Sequence, residues 1–296
     1  MHFNIGGSSI ITGVFFHPAV LLGLCLVCAK IARQSKHNNH IPPQPAPAVV
    51  VVNLESDNRE AVTQDGKKKL YLTFDDGPNN GTSAVWHIVR EEQVPVTFFI
   101  VGQHVFASHG QHAMWDSLTN TTSIELCNHS QTHAHNQYAK FYKSADTVIA
   151  DFEKCKSELG FTNNIARTPG RNIWRIDTLS HTDQMRCSSV ADSLHNAGFD
   201  VMGWDLEWQY NHKNFVLKTT AEQIMQQIDY AFSKNKLRTP DNLVLLAHDQ
   251  VYKNAGDSAE LHKLIRMLKE RADIELMLAS DYPGVKKLQS TGTSKR

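Results

Sequence analysis

The sequence predicts an α/β protein built from parallel β/α units, closed as a barrel or opened as a doubly wound sheet. Three observations lead there. Seven short apolar segments rich in β-branched and aromatic residues follow one another from Lys69 onward. Windows in which apolar residues recur at helical spacing separate them. The chain has 296 residues, 41% of them hydrophobic, which is enough to bury one large core or two small ones. Strands that alternate with helices need crossover connections, and those connections make the strands parallel.

In order, the expected strands are Leu70–Phe74, Val94–Val101, Ser123–Cys127, Ile165–Thr168, Asp200–Trp204, Asn242–Ala247 and Ile274–Ala279. The clearest helical window is Thr219–Lys236, where Ile224, Ile228 and Phe232 recur every four residues behind a Thr219-Thr220 cap and Glu222. Leu261, Leu264, Ile265 and Leu268 form a second stripe. In such folds ligands bind beyond the carboxyl ends of the strands.

Residues 1–66 read differently. Ile10–Ala29 is an apolar run of about 20 residues, long enough to cross a bilayer. Val27-Cys28-Ala29 offers small residues for cleavage, yet no Lys or Arg precedes the run, and Lys30, Arg33 and Lys36 follow it. A retained anchor and a cleaved signal both stay open. Ile41–Ala48 is a proline-rich spacer. The expected organisation is a signal or membrane anchor over 1–36, a linker over 37–66, a catalytic domain over 67–285 and a tail over 286–296. A protein so arranged works in the cell envelope or outside the cell.

Lys plus Arg total 30 and Asp plus Glu total 30, so the net charge is zero, which argues against a nucleic-acid binder that uses a basic face. The 16 histidines favour metal chemistry. Cys127, Cys155 and Cys187 match no zinc-site spacing, and whether Cys155 and Cys187 pair in an oxidising compartment stays open.

Five strand ends carry the chemistry. The first runs into Asp75-Asp76-Gly77-Pro78 and the third into His129-Ser130-Gln131-Thr132-His133. Two histidines four apart on a helical turn face the same way, and with one Asp they make three metal ligands that leave coordination positions open. The remaining ends are Arg167-Thr168-Pro169, Trp204-Asp205-Leu206-Glu207-Trp208 and His248-Asp249.

These five motifs, Thr73–Pro78, His129–His133, Arg167–Pro169, Glu207-Trp208 and Leu245–Asp249, resemble in sequence and order those of the polysaccharide deacetylases, the NodB homology group of carbohydrate esterase family 4. The resemblance spans roughly Lys67 to Pro283. It implies a distorted barrel of about seven β/α units and a hydrolase that removes acetyl groups from N-acetylglucosamine units of an acetylated glycan. It also implies that Asp75 is the catalytic base and that Asp76, His129 and His133 bind a divalent metal, zinc first and cobalt or nickel as alternatives. Arg167 would hold Asp75, and His248 would be the general acid. Substrate contacts would fall to Trp208, Pro169 and position 247.

There are three departures from the family pattern. Gly170 and Arg171 stand where many members carry an aromatic residue. Glu207 fills a slot that usually holds Asp, with Asp205 a rival for tuning His248. Ala247 replaces a bulkier apolar residue that floors the acetyl pocket. None of the three touches the metal triad, the base or the acid. A non-catalytic carbohydrate-binding relative and a small amide or imide hydrolase are the alternatives on the same fold. His104, His109, His112 and His135 read as solvated or structural, with His135 close enough to the triad to be a rival ligand.

Overall fold

The computed structural model describes residues 66–286, so the expected anchor and spacer lie outside the described residues. Twelve strands are present among them: β1 (Lys68–Gly77), β2 (Val96–Ile100), β3 (Ile124–Asn128), β4 (Ile165–Ala166), β5 (Ile173–Ile176), β6 (Leu179–Thr182), β7 (Asp200–Val201), β8 (Leu206–Glu207), β9 (Tyr210–Asn211), β10 (Val216–Leu217), β11 (Asn242–His248) and β12 (Ile274–Leu276). Ten form one sheet in the order β6-β5-β7-β4-β3-β2-β1-β11-β8, with β12 paired to the start of β1. Its pairings are parallel except those of β5 with β6 and β7. β6 and β8 do not pair with each other, so the expected barrel is an open half-barrel.

All seven expected strands appear, several of them shorter than read. Pro95 lacks an N–H and delays β2 to Val96, and β4 and β7 keep two residues each. The hairpin of β5 and β6 was not anticipated, because Arg175 interrupts an otherwise apolar run. Six helices of nine residues or more connect the strands: α1 (Thr82–Glu92), α2 (His109–Thr119), α3 (Ala145–Leu159), α4 (Ser188–Asn196), α5 (Ala221–Ser233) and α6 (Ala255–Lys269). The cap of α5 is a reciprocal box between Thr220 and Gln223, rather than one involving Glu222.

Period-two alternation along β1 divides the core. Leu70, Leu72 and Phe74 face the layer of α1, α5 and α6, where they meet Val85, Ile228 and Leu264. Tyr71 faces the hollow of the half-barrel, with Phe99, Trp174, Val244 and Tyr282. Thr73 and Asp75 follow Tyr71 on that inner face. Cys155 packs in the first of these layers and Cys187 in a separate cluster around Phe152 and Val190, and all three described cysteines are free. The pairing of Cys155 with Cys187, left open by the sequence, is not made, because the two side chains belong to different packing layers.

The loop after β1 is clamped to the end of β11. Asp249 is fully buried and accepts hydrogen bonds from the Asn79 amide and the Thr82 hydroxyl. Burial pushes its carboxyl up to about 8. Gly81 makes the contact feasible: a Cβ there would lie 1.8 Å from the Asp249 carbonyl oxygen. Gly81→Ala is expected to destabilise the domain by about 2–3 kcal/mol, read by urea unfolding, because backbone rather than a flexible side chain has to yield. A loss below about 0.5 kcal/mol would show that the clamp is soft.

Candidate active site

At the end of β1 a bulge shifts the register with β2 between Asp75 and Gly77. Asp76 is the extra residue and holds a left-handed φ of +76°. In a regular strand consecutive side chains point to opposite faces; the bulge breaks that alternation and turns both carboxylates into one cavity. His104, expected to be solvated or structural, supports the strained backbone by donating its Nδ1–H to the Asp76 carbonyl at 2.7 Å.

His129 leaves β3 directly, and His133 opens a turn in which residues 133–136 all have positive φ. The two imidazoles therefore converge through a left-handed turn and not through the helical turn anticipated. Asp76 Oδ1 lies 3.1 Å from His133 Nε2 and 3.5 Å from His129 Nε2. Two ligands about 2.1 Å from a common ion at tetrahedral or octahedral angles sit about 3.0–3.4 Å apart, so this spacing fits a shared divalent metal. Asp76 Oδ1 is also buried without a hydrogen-bond partner. His129 Nδ1 donates to the Arg167 carbonyl at 2.9 Å, which leaves the Nε2 lone pair of a neutral ring for an ion. His133 Nδ1 faces Asn136 Oδ1 at 3.3 Å in the same sense. His135 is exposed and outside this group.

Arg167 is completely buried. Its Nη1 donates to Asp75 Oδ1 and Thr73 Oγ1, both at 2.8 Å. Nε and Nη2 donate to the carbonyls of Met202 and Gly203 at 3.1 and 2.9 Å, and the Phe99 ring lies 3.9 Å from the guanidinium carbon. Burial lowers the guanidinium's proton affinity, and the Asp75 charge opposes that shift. Asp75 is 3% exposed, and its Oδ2 lies 3.7 Å from His129 Nε2. His248 is its register partner on β11, so the expected base and acid occupy neighbouring strand ends.

The cavity has a volume of about 330 Å³, and Asp75, Asp76, His129, His133 and His248 all line it. Several expected contacts lie elsewhere. Ala247 points into the core and Leu246 lines the cavity instead, as alternation from His248 requires. Trp208 is 1% exposed, packs edge-on to Tyr252 and donates its indole N–H to the Thr219 carbonyl; Trp204 lines the cavity. Pro169 is buried, its carbonyl taken by the Tyr142 hydroxyl, and Gly170 reaches the cavity. Asp205 accepts from the backbone N–H groups of Arg238 and Val244, and burial pushes its carboxyl up to about 6; it holds a sheet edge and does not tune His248. Glu207 lines the cavity, but His248 Nδ1 has no hydrogen-bond partner, so neither acid contacts it there. Sequence reasoning missed Tyr210, whose ring lies tilted at 57° to the His248 imidazole with centroids 5.1 Å apart and whose hydroxyl accepts from Gln250 at 3.1 Å.

The half-barrel thus gathers acids, imidazoles and a buried arginine at the carboxyl ends of its strands, and Asp76, His129 and His133 among them form a group able to hold a metal ion. The family model for polysaccharide deacetylases matches residues 63–201 of the chain. It is 27% identical over 172 residues to a peptidoglycan-N-acetylglucosamine deacetylase of Bacillus cereus, covering 55% of each chain. It is 32% identical over 154 residues to a chitooligosaccharide deacetylase of Rhizobium leguminosarum, covering 47% of this chain and 58% of that one. The fold resembles the catalytic domain of a peptidoglycan N-acetylglucosamine deacetylase from Eubacterium rectale, with TM-score 0.55, 19% identity, and 76% and 94% of the two chains covered. The chain spans somewhat over half the length of the curated relatives it matches.

Zinc is expected to raise the melting temperature of the wild-type protein, because an ion that binds the folded state alone stabilises it. His133→Ala should abolish that shift and the bound ion with it, as measured by thermal unfolding and elemental analysis. Stoichiometric zinc in the variant would remove His133 from the ligand set.

Proposed function

We propose that this domain is a metal-dependent N-deacetylase that hydrolyses the acetamido groups of N-acetylglucosamine units in a polysaccharide or oligosaccharide. The observation that carries the reading is the meeting, in one cavity, of a three-donor metal group, an arginine-paired carboxylate and an imidazole on the adjoining strand. The names of the relatives, which act on peptidoglycan and chitin-type oligomers, support the substrate class. The apolar run Ile10–Ala29 supports a site of action in the cell envelope or beyond it.

Asp76, His129 and His133 would hold the ion; two imidazoles and one carboxylate suit zinc, with cobalt or nickel as alternatives. When bound, it supplies a Lewis acid for the acetyl oxygen and acidifies a coordinated water. Asp75 would accept, at Oδ2, the proton of the water that adds to the acetyl carbonyl carbon; that oxygen is left free by the bond of Oδ1 to Arg167. His248 gives a proton to the amine nitrogen as the C–N bond breaks, so acetate and a free amine leave. Leu246 and Trp204 provide apolar surface for the acetyl methyl.

Acetate release from a panel of acetylated glycans, with chelator-stripped and zinc-reloaded protein, tests the reading. Activity that appears on no N-acetylated glycan would overturn it. His248→Ala should keep its zinc, lose N-acetyl turnover by roughly 10²-fold or more, and lose far less on an activated aryl acetate, whose leaving group needs no proton. Equal losses on both substrates would show that His248 is not the acid.

A further inference from the structure

Tyr138 takes no part in the chemistry above, yet it lines the same cavity. It begins a short helix (Tyr138–Phe141) immediately after the left-handed turn that carries His133. Its ring stands edge-on to the His133 imidazole, with centroids 5.8 Å apart and planes at 85°. Its hydroxyl donates to Asn136 Oδ1 at 3.3 Å. Across the cavity wall stands Gly170, at φ +61°. A Cβ on Gly170 would lie 3.0, 3.1 and 3.3 Å from three carbons of the Tyr138 ring. The ring of Tyr138 thus fills the volume that a side chain at position 170 would claim.

The placement is fixed from both sides. Four residues on, Tyr142 is buried and donates its hydroxyl to the Pro169 carbonyl at 2.7 Å, which ties the Tyr138 helix to the turn before Gly170. The Arg171 guanidinium lies 5.9 Å from the Tyr138 ring centroid. An aromatic ring held beside the metal group, with its hydroxyl already turned toward Asn136, presents an apolar surface in a polar cavity. Pyranose rings with equatorial substituents expose axial C–H groups on both faces, and burying such a face against an aromatic ring removes apolar surface from water.

The geometry points to Tyr138 as the aromatic wall of the sugar-binding groove, packing on a C–H face of the pyranose at the reacting acetamido group and standing in for the side chain that Gly170 lacks. This rests on the glycan-deacetylase reading. Tyr138 binds the sugar ring and takes no part in the acetyl chemistry, so its loss separates ring recognition from turnover.

The test compares wild type, Tyr138→Ala and Tyr138→Phe, all zinc-loaded, on an N-acetylglucosamine oligomer and on a small aryl acetate. Tyr138→Ala should raise KM for the oligomer roughly tenfold, with kcat, zinc content and aryl-acetate turnover little changed. Tyr138→Phe should restore the oligomer KM, because the ring and not the hydroxyl does the work. An unchanged oligomer KM in Tyr138→Ala overturns the inference while leaving the deacetylase reading intact. Loss of zinc or of aryl-acetate turnover in that variant also overturns it, since the ring would then serve to place His133. A wild type that acts on no glycan overturns both.

Discussion

The buried guanidinium of Arg167 is the constraint around which the working end of the sheet is arranged. A cation removed from water costs several kcal/mol unless its donors are satisfied and its charge is paired. Here four donor–acceptor contacts link one side chain to Thr73 and Asp75 on β1 and to the carbonyls of Met202 and Gly203 just after β7. The Arg167 carbonyl also receives the Nδ1–H of His129. One residue therefore fixes the carboxylate of Asp75 and the tautomer of His129, a proposed metal ligand, together. The half-barrel supplies the dry interior in which that arrangement is worth making, with Phe99 stacked on the guanidinium.

The second constraint is the bulge at Asp76. Without it, alternation would send Asp75 and Asp76 to opposite faces, and no single cavity could hold both a metal ligand and a base. The left-handed conformation of Asp76 is an energetic cost that the surroundings offset. His104 holds its carbonyl, and the Asp249 clamp holds the loop that follows. These supporting contacts come from distant parts of the chain, which is why the Asp-Asp-Gly-Pro sequence alone does not announce them.

Much of the fold was legible because parallel strands buried on both faces read as continuous apolar runs. The metal group was legible because two histidines four apart end one strand and an Asp pair ends another, whereas the Asp75–Arg167 pair followed only from the resemblance to the polysaccharide deacetylases. Contacts set by side-chain direction were harder. Ala247 was assigned to the acetyl pocket, although alternation from His248 places Leu246 there and turns Ala247 into the core. Trp208 and Asp205 were read as site residues because they lie in a motif, whereas packing against Tyr252 and bonding to a sheet edge occupy them. The β5–β6 hairpin and the left-handed turn at 133–136 carry no strong local signal, since tertiary contacts decide both.

The central claim is that two adjacent carboxylates divide the work, Asp76 holding the ion and Asp75 moving the proton. Zinc stoichiometry and acetate release measured together on Asp75→Asn test it most directly, because the substitution keeps the shape of the side chain and removes its capacity to accept a proton. The account predicts one zinc per chain with turnover on an N-acetylated oligomer reduced by roughly 10²-fold or more. A variant that loses its zinc would make Asp75 a ligand, and one that keeps full turnover would remove it from the mechanism; either result contradicts the account.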